Sequence, residues 1–120
     1  MEEYKLGIVE RKFAHIIWRN EPLTSRELVQ LCQQQLDWKK STTYTVLKKL
    51  CEKGLFQNQD GFVTSLITKD EYCARQSERF IEETFDGSLP AFLAAFTHRK
   101  NLSPAEIAQI RAMIDGFKEG

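Results

Sequence analysis

The sequence has few of the residues and patterns that would indicate redox chemistry, a metal centre or a membrane span. Its three cysteines are odd in number and far apart, and no CxxC or Cys/His ligand spacing occurs. A disulfide framework and a zinc site are therefore disfavoured, and Cys32, Cys51 and Cys73 are each predicted to be small core residues. There is also no signal peptide and no apolar run of transmembrane length. We expect a cytoplasmic protein with no membrane insertion.

A catalytic constellation is missing as well. The chain has two histidines, His15 and His98, and both fall in apolar helical patterns. No nucleophile motif, phosphate-binding loop or metal-ligand spacing is present, and the acidic residues lie in helix caps and on solvated faces. The sequence therefore predicts a protein that is not an enzyme and that has no cofactor and no metal.

Positive charge is not in excess over the whole chain, but it is unevenly distributed. With 17 basic and 17 acidic residues, the formal net charge is zero, which counts against a nucleic-acid partner. Residues 1–68 nevertheless carry a net charge of +2, and residues 69–120 carry −2. Five lysines and one glutamate fall within residues 39–53. This distribution suits a DNA-binding module joined to an assembly module.

What the chain does contain is an amphipathic segment, KKSTTYTVLKKLCEKG, at residues 39–54. On a helical wheel, one side is mostly apolar and can pack on a core. The other side carries hydroxyls near its start, which can approach base edges, and lysines further along, which can bind phosphates. We interpret it as a DNA recognition helix, an ordinary amphipathic helix being the alternative. The residues predicted to contact DNA are Lys39, Lys40, Ser41, Thr42, Tyr44, Thr45, Lys48 and Lys49.

Two predicted helices precede this segment. Residues 6–18 carry apolar side chains at helical spacing, and Trp18 at their end is predicted to anchor the core. The capping box TSRE at residues 24–27 opens a second helix over residues 25–36. Two helices joined by a short turn, the second with exposed hydroxyls and lysines, are typical of a helix-turn-helix.

A β-hairpin is predicted directly after the recognition helix. Residues 55–59 are extended, Asp60-Gly61 is a hairpin-turn dipeptide, and residues 62–68 are rich in β-formers. Such a hairpin is the wing of a winged helix. Asn58 and Gln59 at its tip are predicted to approach DNA, exposed turn chemistry being the alternative. The side chains predicted to pack against the helices are Leu55, Phe62 and some of Val63, Leu66 and Ile67.

The remaining residues, 69–120, are predicted to form three helices with more apolar surface than they can bury. The helices cover residues 69–85, 89–98 and 104–118, and capping boxes open the first and the last. A segment of about 50 residues is near the lower size limit for folding alone. We therefore expect a homodimer, an intrachain bundle being the alternative. The predicted dimer interface consists of Phe80, Phe85, Leu89, Phe92, Leu93, Phe96, Ile107, Ile110 and Ile114.

The predicted fold is thus mainly α with a small β-hairpin. Residues 1–68 form a winged helix-turn-helix DNA-binding domain, and residues 69–120 form a C-terminal helical dimerisation arm of three helices.

The order of these motifs resembles the penicillinase-repressor family of bacterial transcription factors, which includes the BlaI and MecI repressors and copper-responsive CopY relatives. The matching stretches cover nearly the whole chain. They are IIW ending at residue 18, SRELVQLC at 25–32, WKKSTTYTVLKKLCEKGL at 38–55, FDGSLPAFLAAF at 85–96 and LSPAEIAQI at 102–110. The resemblance implies an N-terminal winged helix, a three-helix dimerisation arm, and dimers that repress operons by binding palindromic operators.

The resemblance also assigns roles within the recognition helix. Thr42 and Thr45 match hydroxyl positions of the family. Ser41 stands where some members have lysine, and Tyr44 stands where some have arginine. An arginine can read guanine through two hydrogen bonds, whereas a tyrosine cannot.

Two modes of regulation follow from the same resemblance. In the antibiotic-responsive branch, a membrane sensor triggers, directly or indirectly, cleavage just before a phenylalanine of the C-terminal arm. Phe96 matches that phenylalanine, and Ala95 stands where those repressors have asparagine. The copper-responsive branch carries a cysteine cluster near its C-terminus. Because no cysteine follows Cys73 here, copper sensing is not expected.

Two other functions remain open from the residues alone. A winged helix can serve as a protein–protein interaction module, but an acidic or apolar recognition face would then be expected, whereas this face holds four lysines. A winged-helix regulator can also sense a small molecule in its dimer arm, where Phe80, Phe85, Phe92 and Phe96 would line a pocket. A core or dimer interface is the simpler role for these rings. The favoured prediction is a homodimeric transcriptional repressor.

Overall fold

The computed structural model describes residues 5–119, with side chains from 5 to 117. The fold is mainly α-helical with one small antiparallel sheet, and its first part is a winged helix-turn-helix, so the predicted fold class is confirmed. The chain divides into two compact units, residues 1–77 and 78–120, and the fourth helix contributes to both. The elements are α1 (Ile8–Asn20), β1 (Leu23–Thr24), α2 (Ser25–Leu36), α3 (Lys40–Glu52), β2 (Phe56–Gln59), β3 (Phe62–Ser65), α4 (Lys69–Phe85), α5 (Leu89–Arg99) and α6 (Pro104–Glu119).

Local hydrogen bonds determine where α2 begins and ends. The Thr24 hydroxyl accepts the Glu27 N–H at 3.0 Å, and the Glu27 carboxylate accepts the Thr24 N–H at 2.8 Å. This confirms the predicted capping box. At the other end, Asp37 takes a left-handed conformation (φ 56°), and its N–H donates to the Cys32 carbonyl. The chain therefore turns sharply, and α3 begins at Lys40.

The core of the first unit lies between the three N-terminal helices and the sheet. Its buried side chains come from every one of these elements, so the helix-turn-helix and the hairpin share a single core. Trp38, in the turn between α2 and α3, stacks on Phe13 of α1 with ring centroids 5.5 Å apart. The largest fully buried side chains are Phe13, Ile17, Leu28, Leu50, Leu55, Phe56 and Val63.

Trp18 at the end of α1 joins the helices to the sheet. Its indole N–H donates to the Ile67 carbonyl at 3.0 Å, and its ring lies 5.5 Å from Phe56 and 5.4 Å from Tyr72. A partly buried tryptophan whose N–H is hydrogen-bonded stabilises the packing around it through its large apolar area. The prediction that Trp18 anchors the core is confirmed.

The sheet has three strands in the order β1-β3-β2, all antiparallel. Asp60 and Gly61 connect β2 to β3 and both have positive φ, 53° and 80°, as a type I′ hairpin turn requires. The predicted hairpin is therefore present. The two-residue strand β1 was not expected, and it pairs Leu23 with Val63 and Thr24 with Phe62.

The prediction that Phe62 packs against the helices is wrong. Phe62 is 54% exposed, whereas the next residue, Val63, is fully buried. Successive side chains of a strand point to opposite faces of the sheet, so only one of the two can face the core. The aromatic ring that fills the core here belongs to Phe56 on β2.

The cysteine prediction holds for two positions and fails for the third. Cys32 is buried and Cys51 is partly buried, and burial raises the pKa of both thiols. Cys73 is exposed. The preceding residue, Tyr72, is the one that α4 turns towards the core, and the next side chain of a helix points about 100° away.

The second unit is held by caps and aromatic contacts. The Ser88 hydroxyl caps α5 by accepting the Ala91 N–H, and Ser103 and Glu106 form the predicted capping box of α6. Among the described side chains of residues 78–117, none is buried. Four rings of this unit form one connected cluster, with neighbouring centroids 5.6 to 6.0 Å apart: Phe80, Phe85, Phe92 and Phe96.

Candidate nucleic-acid interface

The outer face of α3 is exposed along its whole length. Thr43, Leu47 and Leu50 of α3 are buried, and the helix packs against the core of the first unit, so its opposite side faces solvent. This arrangement is the one that the sequence pattern predicted. The exposed residues at the start of α3 and along this face are Lys39, Lys40, Ser41, Thr42, Tyr44, Thr45, Lys48 and Lys49.

The threonines of α3 use their hydroxyls differently. Thr45 donates its hydroxyl hydrogen to the Ser41 carbonyl at 2.9 Å, so its outward oxygen is free to accept a hydrogen bond. Thr43 makes the equivalent bond to the Lys39 carbonyl but is buried. Thr45 therefore presents an acceptor and a methyl group at the exposed face, which suit a base amino group and a thymine methyl.

Tyr44 connects α3 to the start of α2. Its phenolic O–H donates to the Ser25 hydroxyl at 3.2 Å, and the ring is about one third exposed. The side chain thus reaches from α3 to the first residue of α2. Sequence reasoning placed Tyr44 on the exposed face but could not show this contact.

The lysines of this face differ in their partners. Lys49 forms an ion pair with Glu10 of α1, with Nζ and Oε2 2.8 Å apart. Hydrogen bonds from Lys49 and from the Gly7 N–H hold the pKa of Glu10 below its usual value. Within the described part of the chain, Lys39, Lys40 and Lys48 have no such carboxylate partner. Sequence reasoning missed Glu10, because it lies on another helix.

The wing tip lies beside the N-terminus of α2. The Ser25 N–H donates to the Gly61 carbonyl at 2.8 Å, and β1, which leads into α2, pairs with β3. Asn58 and Gln59 are exposed on β2 near the turn. The structure therefore brings together three elements that the sequence predicted separately: the recognition helix, the start of α2 and the wing.

The residues predicted for the dimer interface lie in the second unit, and their side chains are exposed or partly exposed. The predicted cleavage position, Ala95 and Phe96, lies inside α5, and the Phe96 ring contacts Phe92. A peptide bond within a helix is cut only after local unwinding. Apolar side chains that remain more than a third exposed here are Phe80, Leu89, Phe96, Ile107, Met113, Ile114 and Phe117.

Neither a metal cluster nor a membrane span is found in the part of the chain that the structure describes. No group of three or more His, Cys, Asp or Glu side chains is placed to hold a metal ion. Among the same residues, no helix is both long and apolar enough to cross a bilayer.

Comparison with known proteins identifies the family to which this chain belongs. Residues 6–116 match the family model described as penicillinase repressor. The methicillin resistance regulatory protein MecI of Staphylococcus aureus is 24% identical over 116 residues, covering 93% of this chain and 94% of that protein. The penicillinase repressor of Bacillus licheniformis is 24% identical over 118 residues, covering 95% and 92%. An uncharacterised 16.5 kDa protein of Latilactobacillus sakei is 25% identical over 109 residues, covering 88% and 75%. Because the family model matches most of its length, the chain belongs to the penicillinase repressor family, whose members are transcriptional repressors and not enzymes.

Proposed function

We propose that the protein is a homodimeric repressor that binds a palindromic operator and acts in the cytoplasm. The observation that carries this proposal is the exposed face of α3, where hydroxyl side chains lie between two pairs of lysines and beside the wing. The core of a protein–protein interface is depleted of charged residues, whereas this face holds four exposed lysines. The two similar repressors named above match this chain over almost their full length.

Affinity would come mainly from the phosphate backbone. Lys39, Lys40 and Lys48 are exposed and have no carboxylate partner in the described residues, so they can neutralise phosphates without first breaking an ion pair. Three contacts from each protomer of a dimer give a slope of log K against log salt of about −5. Binding is therefore expected to weaken steeply as salt rises.

Specificity would come from α3 in the major groove. Ser41, Thr42 and Thr45 project from the exposed face near its N-terminal end and can reach base edges. Tyr44, which donates a hydrogen bond to Ser25, would contact the wall of the DNA groove. Asn58 and Gln59 would extend the contact from the wing. These polar side chains would set which half-site sequence is chosen.

The second unit would join two protomers. Its aromatic cluster and the apolar face of α6 remain exposed in a single chain, and packing two copies together would remove this area from water. We assign dimerisation to residues 69–120 and DNA binding to residues 1–68. Linking two half-site contacts raises operator affinity far above that of one winged helix alone.

Induction would act on this arm. We propose that a membrane sensor protease leads, directly or indirectly, to cleavage between Ala95 and Phe96. The cut would separate α6 from the rest of the arm and so weaken the dimer. Because the bond lies within α5, cleavage requires that helix to unwind locally, and intact-mass measurement after induction would locate the cut.

The proposal is tested by selecting binding sites from random duplex DNA at two salt concentrations and sequencing the bound fraction. A palindromic motif with fixed half-site spacing is the expected result. Weak binding to all sequences that disappears at moderate salt would contradict it, and the winged helix would then be a protein-interaction module.

A further inference from the structure

Phe62 is an aromatic side chain that the fold leaves at the surface of the first unit. It lies on the outer face of the sheet and is 54% exposed. Its partners across the two neighbouring strands, Thr24 on β1 and Gln59 on β2, are polar. The sheet therefore provides no apolar cross-strand partner for the ring on that face. Exposing an aromatic ring forgoes the free energy of burying it.

The position of Phe62 is continuous with the recognition face. It is the first residue after the Asp60-Gly61 turn, so its ring projects near the wing tip. The Gly61 carbonyl accepts the Ser25 N–H, and the Ser25 hydroxyl accepts the Tyr44 O–H. A short chain of contacts thus leads from Phe62 through the start of α2 to α3.

The composition of the wing indicates how it can contact DNA. Residues 55–68 contain no lysine and no arginine, and Asp60 at the turn carries a negative charge. The wing therefore cannot bind phosphates through ion pairs. Apolar side chains are used instead by proteins that enter the minor groove, where a ring packs on the sugars or between base steps.

We propose that Phe62 enters the minor groove next to each half-site while α3 occupies the adjacent major groove. The inference rests on the proposed function and adds a contact to it that is apolar and independent of salt. DNA is favoured over a protein partner because the ring is isolated among polar side chains, whereas a protein-docking surface is a contiguous apolar patch.

The test compares Phe62→Ala with Leu66→Ala in the full-length protein. Leu66 is equally exposed, at 57%, but it follows β3 at the end of the hairpin opposite the turn. Binding to the selected operator is measured by fluorescence anisotropy at several salt concentrations. Phe62→Ala is expected to weaken binding about tenfold, as removal of a ring that packs on nucleic acid does, with an unchanged salt slope. Leu66→Ala should bind like the wild type.

Thermal unfolding and sedimentation are the controls for folding and dimerisation of the two variants. Both variants should unfold and dimerise as the wild type does, because both side chains are exposed, and Phe62→Trp should retain most of the affinity. Wild-type binding by Phe62→Ala, or equal decreases in both variants, would overturn the inference. A Phe62→Ala protein that is monomeric would place the ring at a protein contact instead. If the wild type selects no sequence, the proposed function fails and this inference fails with it.

Discussion

The ion pair between Lys49 and Glu10 shows how a single carboxylate can limit the charge of a binding face. Glu10 accepts hydrogen bonds from Lys49 and from the Gly7 N–H, so it caps α1 and holds a lysine of α3 at once. An exposed ion pair contributes little to stability, about 0 to 1 kcal/mol. Its greater effect is expected on DNA binding, since a paired lysine is less available to a phosphate.

We predict that Glu10→Gln strengthens operator binding and makes the salt slope steeper by about 0.9 for each Lys49 that is released. Glutamine can still accept the Gly7 N–H, so the cap of α1 is retained. The measurement is a set of binding isotherms at several salt concentrations. The same substitution in a Lys49→Ala background should have no effect, and an equal gain in both backgrounds would show that Glu10 acts by general repulsion.

Alanine substitutions at Lys48 and at Thr45 are predicted to affect DNA binding in different ways. Lys48→Ala removes an ammonium group that we propose binds a phosphate, so it should weaken binding to specific and random DNA alike and reduce the salt slope by about 1 for each lysine removed. Thr45→Ala removes the proposed contact to a base edge and should alter discrimination between half-site sequences by about 1 kcal/mol. Competition assays with specific and random duplexes measure both, and identical behaviour would refute the groove assignment.

His15 makes the stability of the first unit depend on pH. Burial, followed by repulsion from Lys69, Arg19 and Arg11, lowers its pKa in the folded protein. The unfolded chain therefore binds the proton more readily, and stability that is present above the ordinary histidine pKa of about 6.5 decreases as pH falls towards the folded value. Urea unfolding at pH 7.5 and 5.5 should show this decrease, and His15→Gln should reduce it. Parallel pH curves for the two proteins would contradict the prediction.

At the scale of elements, features that depend on residues close in sequence could be predicted. Features that depend on contacts between residues far apart in sequence could not. The capping box of Thr24 and Glu27 involves residues three apart, and the buried and exposed sides of α3 follow from helical periodicity alone. Strand β1 has two residues and depends on pairing with Val63 and Phe62 far along the chain. Side chains alternate between the two faces of β3, so the sequence alone allowed either Phe62 or Val63 to face the core. In the structure Val63 is the buried one.

The same distinction applies to the candidate site. The helical wheel predicted which side chains of α3 are exposed, because exposure depends on the helix itself. The Glu10–Lys49 pair and the Tyr44–Ser25 hydrogen bond join different elements, so no local pattern could indicate them.

We predict that Thr24→Ala lowers the free energy of unfolding of the first unit by about 1 kcal/mol. The substitution removes the hydroxyl that accepts the Glu27 N–H at the start of α2. Ser103→Ala, which removes the equivalent cap from α6, is the matched control and should leave the first unit unchanged. Hydrogen exchange of amides in α2 and α3 measures the effect. Unaltered protection in Thr24→Ala would show that the cap adds nothing.

At the scale of the whole molecule, the two units differ in how completely they bury their own apolar surface. The first unit contains all of the fully buried side chains among the described residues. The second has a cluster of rings that are at most partly buried. This difference is the physical basis for assigning self-association to the second unit.

A chain that ends at Phe85 is predicted to be monomeric and to retain the helix-turn-helix. It lacks α5 and α6, which carry most of the predicted interface, and keeps every buried residue of the first unit. Sedimentation velocity would give the mass, and circular dichroism would confirm the fold. A truncated chain that still sediments as a dimer would move the interface to the first unit or to α4.

The unburied rings of the second unit also affect how a gene regulated by the proposed repressor would respond to the number of repressor molecules in the cell. For a unit that completes its core only by dimerisation, the dimer concentration is proportional to the square of the protomer concentration as long as most protomers are monomeric. Halving the number of molecules in a cell would then lower the amount of assembled repressor about fourfold. In the proposed dimer, partial degradation of the pool would therefore lower the amount of assembled repressor more than in proportion to the loss of protomers.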